Sequence, residues 1–271
     1  MSIFTATRIH SHITRIDMPY VSAYLIKGQE RAVLIDTGWG YGDLKAFVES
    51  ICDLPYEVIL SHGHCDHGGG AGQFEAVYLN EIETDLEHHS CSIETRQNVF
   101  RHVMRRQEFE EDLSQWLPQR QKPYKSLTET TLFDLGGITL KPVLVPGHTE
   151  GIMGFILPEI SIAFFGDACS EPTLVTLASS TSIQAHYRGL LNLQRYTEEF
   201  DRVLISHSPF ELPKEVLANN IRLAERILAG QDAKAPVKMN GELVYSARER
   251  RSKNLSKPLP VGNILYSSKN I

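Results

Sequence analysis

The segment Ser61-His62-Gly63-His64-Cys65-Asp66-His67-Gly68-Gly69-Gly70 puts three imidazoles and one carboxylate within six consecutive positions. Buried without partners, such groups are costly, because each must find a hydrogen bond or a metal ion once it leaves water. The glycines open backbone conformations closed to other residues, so several side chains of one tight loop can face a common point. Neutral imidazole and carboxylate suit Zn²⁺, and equally Fe or Mn, with geometry and supply choosing among them. A histidine-rich surface loop is the plain alternative. That reading suits one histidine better than a cluster.

The loop begins where the apolar stretch Tyr56-Glu-Val-Ile-Leu60, which reads as a strand, ends. Upstream, Val21 to Ile26 and Arg31 to Ile35 read as strands and Asp43 to Cys52 as a helix; Ala76 to Leu79 reads as a further buried strand. From Glu81 to Lys125 the pattern turns helical, with Val99, Val103, Phe109, Leu113 and Trp116 at helical or near-helical spacings amid nine acids and seven bases. This is an inserted helical segment, about residues 81–125, ended by Pro118 and Pro123. Strand signals return at Thr131–Phe133, Ile138–Leu140, Pro142–Val145, Ile152–Leu157, Ile160–Phe165 and Asp201–Ile205, broken by Gly and Pro. Pro213 to Ala229 is the clearest helix, with Leu217, Ile221, Ala224 and Leu228 in one stripe and Gly230 past its end. The extension 231–271 carries eight bases and three acids, including the run Arg248-Glu-Arg-Arg-Ser-Lys253, which reads as solvated surface.

Composition narrows the class. The chain has 271 residues, a formal charge of 27 − 33 = −6, 42% hydrophobic and 22% charged residues, an ordinary globular composition; at this length one domain with embellishments stands as an option beside two domains. Mild acidity argues against a nucleic-acid partner held by phosphate neutralisation. Gly151 to Gly166, broken by Pro158 and Glu159, falls short of a membrane span, so no membrane partner is expected. The N-terminal MSIFTATRIH lacks the features of a secretory signal, and the expected location is the cytoplasm. Four scattered cysteines do not form a disulfide framework.

The motif His62-x-His64-x-Asp66-His67 resembles the signature of the metallo-β-lactamase-fold superfamily. Four further segments stand in that family's order: Leu34-Ile-Asp36-Thr-Gly38, Pro146-Gly-His148-Thr-Glu-Gly151, Phe164-Phe-Gly-Asp167 and Ile205-Ser-His207-Ser. The resemblance spans roughly residues 20 to 230. It implies an α/β fold, the four-layer αββα sandwich, in a single domain. It also implies two divalent metal ions, with Zn expected and Mn or Fe as alternatives. His62, His64 and His148 would hold one ion, and Asp66, His67 and His207 the other, with Asp167 bridging both. Asp36 would act behind the ligands, taking a hydrogen bond from the loop.

Two ions about 3.5–4 Å apart lower the pKa of a shared water from 15.7 to about 7 and polarise a carbonyl or phosphoryl oxygen. The implied activity is hydrolysis of an ester, thioester, lactone or phosphodiester in a small molecule, with Asp66 also accepting a hydrogen bond from the attacking water. Asp167 stands where the true β-lactamases of the family carry Cys, which disfavours antibiotic hydrolysis. Ser170, where related lactonases often carry Tyr, weakens the lactone reading. Glutathione thioesterases of the family use a longer C-terminal domain than the forty or so residues after Gly230. Two other functions stand beside hydrolysis: an iron-dependent oxidoreductase of persulfide-dioxygenase type, which His64 argues against in its diiron form, and a noncatalytic scaffold, which would be expected to have lost a ligand. Cys65 and Cys169 read as packing residues, and His88, His89, His102 and His186 as polar positions outside the motifs. The insertion, with Phe100, Phe109, Trp116 and Tyr124, reads as a lid or the surface of a homodimer; Tyr187 reads as helix packing before substrate contact.

Overall fold

The computed structural model describes residues 3–105, 109–249 and 260–271. Within the basic run Arg248–Lys253, positions 250–253 lie outside the described residues. The chain forms two compact units, Met1–Leu140 with Ser206–Ser208, and Lys141–Ile205 with Pro209–Ile271.

The first unit is built on a seven-stranded sheet running in chain order: Thr5–Arg8, Ile13–Asp17, Ser22–Lys27, Ala32–Ile35, Tyr56–Ile59, Val77–Leu79 and Lys125–Ser126. The first four strands pair antiparallel and the rest parallel. Antiparallel neighbours need only tight turns, whereas parallel ones need a crossover. Leu44–Ile51 supplies one; Asp43 caps it by accepting from Ala46 N at 2.9 Å, and Leu44 and Val48 turn inward. Ala32–Ile35 is buried along its whole length, as a central strand covered on both faces should be. Its C-terminal end delivers Asp36, and that of Tyr56–Ile59 delivers Ser61 to His67. The carboxyl ends of parallel strands are where α/β folds place their ligands.

The second unit carries the strands Glu211–Pro213, Arg202–Leu204, Ile162–Phe164, Met153–Leu157 and Thr139–Leu144 in that order, the chain crossing between units within the last. The sequence suggested two strands around Pro142; the structure has one. Proline lacks the N–H a ladder needs, but the pairing with Phe133–Asp134 stops at Leu140, and on the other side Pro142 sits opposite Phe155. Similarly, Pro213 ends an edge strand, and the helix begins at Glu215. That helix and Ile183–Gln194 lie over a core that includes Val145, Phe165, Leu190, Leu193, Val203 and Ile221. The extension adds Ala235–Met239, Glu242–Ser246 and Ile264–Tyr266, the last pairing parallel with Thr173–Val175. Among the described residues no helix is long and apolar enough to cross a membrane.

Candidate functional site

Asp36 organises the histidine loop of the first unit. It holds a left-handed backbone (φ 65°), a strained conformation for a non-glycine residue. One carboxylate oxygen accepts from Ser61 N at 2.7 Å; the other accepts from Ser61 Oγ and from His67 Nδ1, each at 2.9 Å. Ser61 Oγ, having donated to Asp36, is left to accept from His62 Nδ1 at 3.0 Å. His207 Nδ1 donates to the Tyr20 carbonyl at 2.9 Å. These partners suit the Nδ1–H tautomer of His62, His67 and His207, which leaves the Nε2 lone pair of each as the candidate ligand. Fixing the tautomer through the remote ring nitrogen is how proteins aim imidazole ligands.

The donor atoms of Asp66, His67 and His207 lie within 4.8 Å of one another. Asp66 Oδ2 is 3.6 Å from His67 Nε2 and 3.5 Å from His207 Nε2. His62 Nε2 lies 3.0 Å from His64 Nδ1, and the His62 and His67 rings are 4.1 Å apart. Thr37 fixes the loop through its N and Oγ1, which donate to the His67 carbonyl at 2.7 and 2.8 Å.

Two supports come from the helical segment, and the sequence reading singled out neither. Buried Glu83 accepts from Gly63 N at 2.8 Å. Arg96, 0% exposed, donates through Nη1 to the carbonyls of Trp39 (3.1 Å) and Gly69 (3.0 Å) and through Nη2 to that of Leu117 (2.7 Å). Burial lowers the Arg96 pKa. A charge run at helical spacing looks solvated in sequence, and the carbonyls that make Arg96 tolerable inside come from three distant stretches. Phe100 and Trp116 are core, packed with Trp39 and Tyr41; the exposed apolar side chains of the segment are Ile82, Ile93, Val99 and Leu113. His88, His89 and His102 are exposed.

Asp36→Asn keeps the shape and replaces one of the two carboxylate oxygens that together serve three donors with an NH2 group, which cannot accept. Loss of such a support costs about 10–100-fold in metal affinity. Zinc competition against a chromogenic chelator should show that loss; a change below about 3-fold would mean the carboxylate is dispensable.

The second unit carries His148 and Asp167. His148 Nδ1 donates to the Leu174 carbonyl at 2.9 Å, and Nε2 lies 3.6 Å from Asp167 Oδ2. Leu174 belongs to the strand paired with Ile264–Tyr266, so the C-terminal extension supports the residue that aims His148. Before His148, Gly147 has φ 151°, and a Cβ there would stand 2.2 Å from His186 Nδ1. His186 is wholly buried, burial pushing its pKa down to about 4, so it is a neutral support under the turn at physiological pH. Cys65 and Cys169 are buried thiols, both pushed up to about 12 by burial, which makes them poor thiolates. Tyr187 donates to Glu225 at 2.9 Å, joining the helices Ile183–Gln194 and Glu215–Leu228.

Residues 17–194 match the sequence profile of the Metallo-beta-lactamase superfamily. The chain belongs to this superfamily. Solved metallo-β-lactamases share its α/β fold, the class expected from the sequence: one from Pontibacter korlensis superposes with a TM-score of 0.60 at 19% identity, over 82% of this chain and 99% of that one. A second, from Erythrobacter litoralis, gives 0.60 at 16% identity, over 83% and 98%. Among characterised relatives of this superfamily member, the human acyl-coenzyme A thioesterase MBLAC2 is 26% identical over 195 residues, 67% of this chain and 69% of that protein. Hydroxyacylglutathione hydrolase GloC of Haemophilus influenzae is 29% identical over 143 residues, 51% and 61% of the two chains. The atrochrysone carboxyl ACP thioesterase of Passalora fulva is 25% identical over 142 residues, 51% and 34%.

The superfamily implies divalent metal ions, and the donor set suits them. The imidazoles of His62, His67 and His207 are anchored at Nδ1, and Asp66 faces the latter two. Nitrogen and oxygen donors, with no thiolate, match Zn and also Mn or Fe.

Proposed function

We propose that this protein is a metal-dependent thioester hydrolase. The observation that carries the reading is the trio Asp66, His67 and His207, whose donor atoms lie within 4.8 Å of one another and whose histidines are turned Nε2 first by Asp36 and the Tyr20 carbonyl. In the proposed centre His62, His64 and His148 would hold one ion and Asp66, His67 and His207 the second, with Asp167 shared; the ions would be Zn, with Mn or Fe as alternatives. When bound, such a pair acidifies water and polarises the scissile carbonyl. Asp66 accepts a hydrogen bond from the attacking water and orients it. Asp36, Ser61 and the carbonyls of Tyr20 and Leu174 hold the imidazoles in place, so no reorganisation accompanies attack. Water adds to the acyl carbon, the C–S bond breaks and the sulfur leaves as a thiol.

The bond type is inferred from relatives: the three named above are a coenzyme A thioesterase, a carrier-protein thioesterase and a hydroxyacylglutathione hydrolase. All three names denote hydrolases, which favours hydrolysis over the iron-dependent oxidoreductase. The test combines elemental analysis of protein purified without added metal with thiol release from acyl-coenzyme A and S-lactoylglutathione, against oxygen esters, lactones and phosphodiesters. Expected are about two Zn or Mn ions per chain and thiol release above the other panels. About one Fe per chain with oxygen consumption and no thiol release overturns the proposal.

A further inference from the structure

The hairpin joining Ile13–Asp17 to Ser22–Lys27 pairs Asp17 with Ser22, and Met18 N donates to the Val21 carbonyl at 3.0 Å, which leaves Pro19 and Tyr20 as its tip. Proline at the first tip position followed by positive φ at the second is the type II turn pattern, and its second position belongs to glycine or asparagine. Here it is Tyr20, at φ 73°. An aromatic side chain there is strained, and such strain persists only where surrounding contacts impose it. The contacts are visible. Trp39 Nε1 donates to the Pro19 carbonyl at 2.8 Å and clamps the tip, while the Tyr20 carbonyl receives His207 Nδ1 at 2.9 Å.

The backbone role needs no tyrosine. A glycine would offer the same carbonyl with less strain, so the side chain needs its own explanation. Its ring lies 4.8 Å from the His207 ring, tilted by 51°, and the residue remains 48% exposed. It is therefore a large, half-exposed aromatic side chain set beside a candidate metal ligand.

We propose that Tyr20 is a specificity-determining residue, its ring forming an aromatic wall that packs against the aliphatic acyl chain of the substrate. The assignment rests on the thioester reading for the identity of that chain. Tyr20→Gly removes the ring, suits the positive φ and keeps the carbonyl that holds His207; Tyr20→Phe keeps the ring and drops the hydroxyl. The probes are two non-hydrolysable thioethers, S-decyl- and S-ethyl-coenzyme A, titrated calorimetrically into zinc-loaded wild type and both variants, with zinc content and melting temperature measured alongside.

Wild type and Tyr20→Phe are expected to bind the decyl probe at least ~10-fold more tightly than the ethyl probe, roughly the effect of two buried methylenes. In Tyr20→Gly the gap should close, with zinc content unchanged and melting temperature equal or higher. A gap that survives in Tyr20→Gly, no gap in wild type, or zinc lost from Tyr20→Gly each overturns the assignment, the last by making the ring a support of His207. Thiol release by wild type, assayed separately, tests the thioester reading: a gap that depends on the ring without turnover refutes only that reading, and turnover without the gap refutes only the role of Tyr20.

Discussion

Asp167→Ala and His148→Ala should each lower thioester turnover by at least ~100-fold, the scale of losing one major electrostatic element of a preorganised site. Aspartate carries the only carboxylate the proposed centre shares between its ions, and alanine leaves no donor in its place. His148 is aimed by Leu174, on a strand tied to the C-terminal extension, so its loss is one of ligation rather than of fold. Two controls separate these effects. Zinc content should fall in both variants, while melting temperature of the zinc-free proteins should match that of zinc-free wild type within about 2 °C. Unchanged turnover in both would remove the proposed ions from catalysis. Arg202→Ala, which breaks an exposed ion pair with Glu211 in the same unit, should leave turnover intact, since exposed pairs contribute about 1 kcal/mol or less to stability.

The candidate site was legible because its residues stand at strand ends, where short-range pattern and chemistry coincide. Tyr56 to Leu60 is an apolar run, and the ten residues after it are polar, glycine-rich and histidine-dense, so the local sequence marks both the strand and its functional loop. The supports were not legible in the same way. Arg96, Glu83 and His186 meet their partners across the fold: Arg96 reaches residues 39, 69 and 117, Glu83 reaches Gly63, and His186 lies under Gly147. Hydrophobic periodicity assigns charged helix positions to solvent, and only long-range backbone carbonyls reverse that assignment. The C-terminal strands escaped for a related reason. Ala235–Met239 alternates partly buried with exposed positions and carries proline and lysine, the composition of an edge strand, so it lacks the apolar run that identifies a central one. Tyr20 was equally illegible, because the positive φ that sets it apart at a turn position favouring glycine is a property of the folded hairpin and not of the local sequence.

Arg96→Met should have the largest effect on stability. Methionine fills similar volume without a hydrogen-bond donor, so the exchange isolates the guanidinium. Two effects oppose each other. Removing a buried charge relieves a desolvation cost, the reason apolar replacements of whole buried ion networks are often neutral. In Arg96→Met, however, the partners stay: the Trp39 and Gly69 carbonyls remain inside without their donor, and the Leu117 carbonyl remains partly so. Each buried group left unsatisfied costs about 1–3 kcal/mol, so the acceptors prevail and a net loss of about 3 kcal/mol is expected. For a protein of this size that is roughly a 6–12 °C fall in melting temperature. Arg96→Lys, which keeps the charge but cannot span three carbonyls, should fall between. Because Gly69 closes the turn that carries Asp66 and His67, zinc affinity should weaken with stability. A melting temperature within about 2 °C of wild type in Arg96→Met would show that those carbonyls find other donors, and that the helical segment is not tied to the histidine loop through this residue.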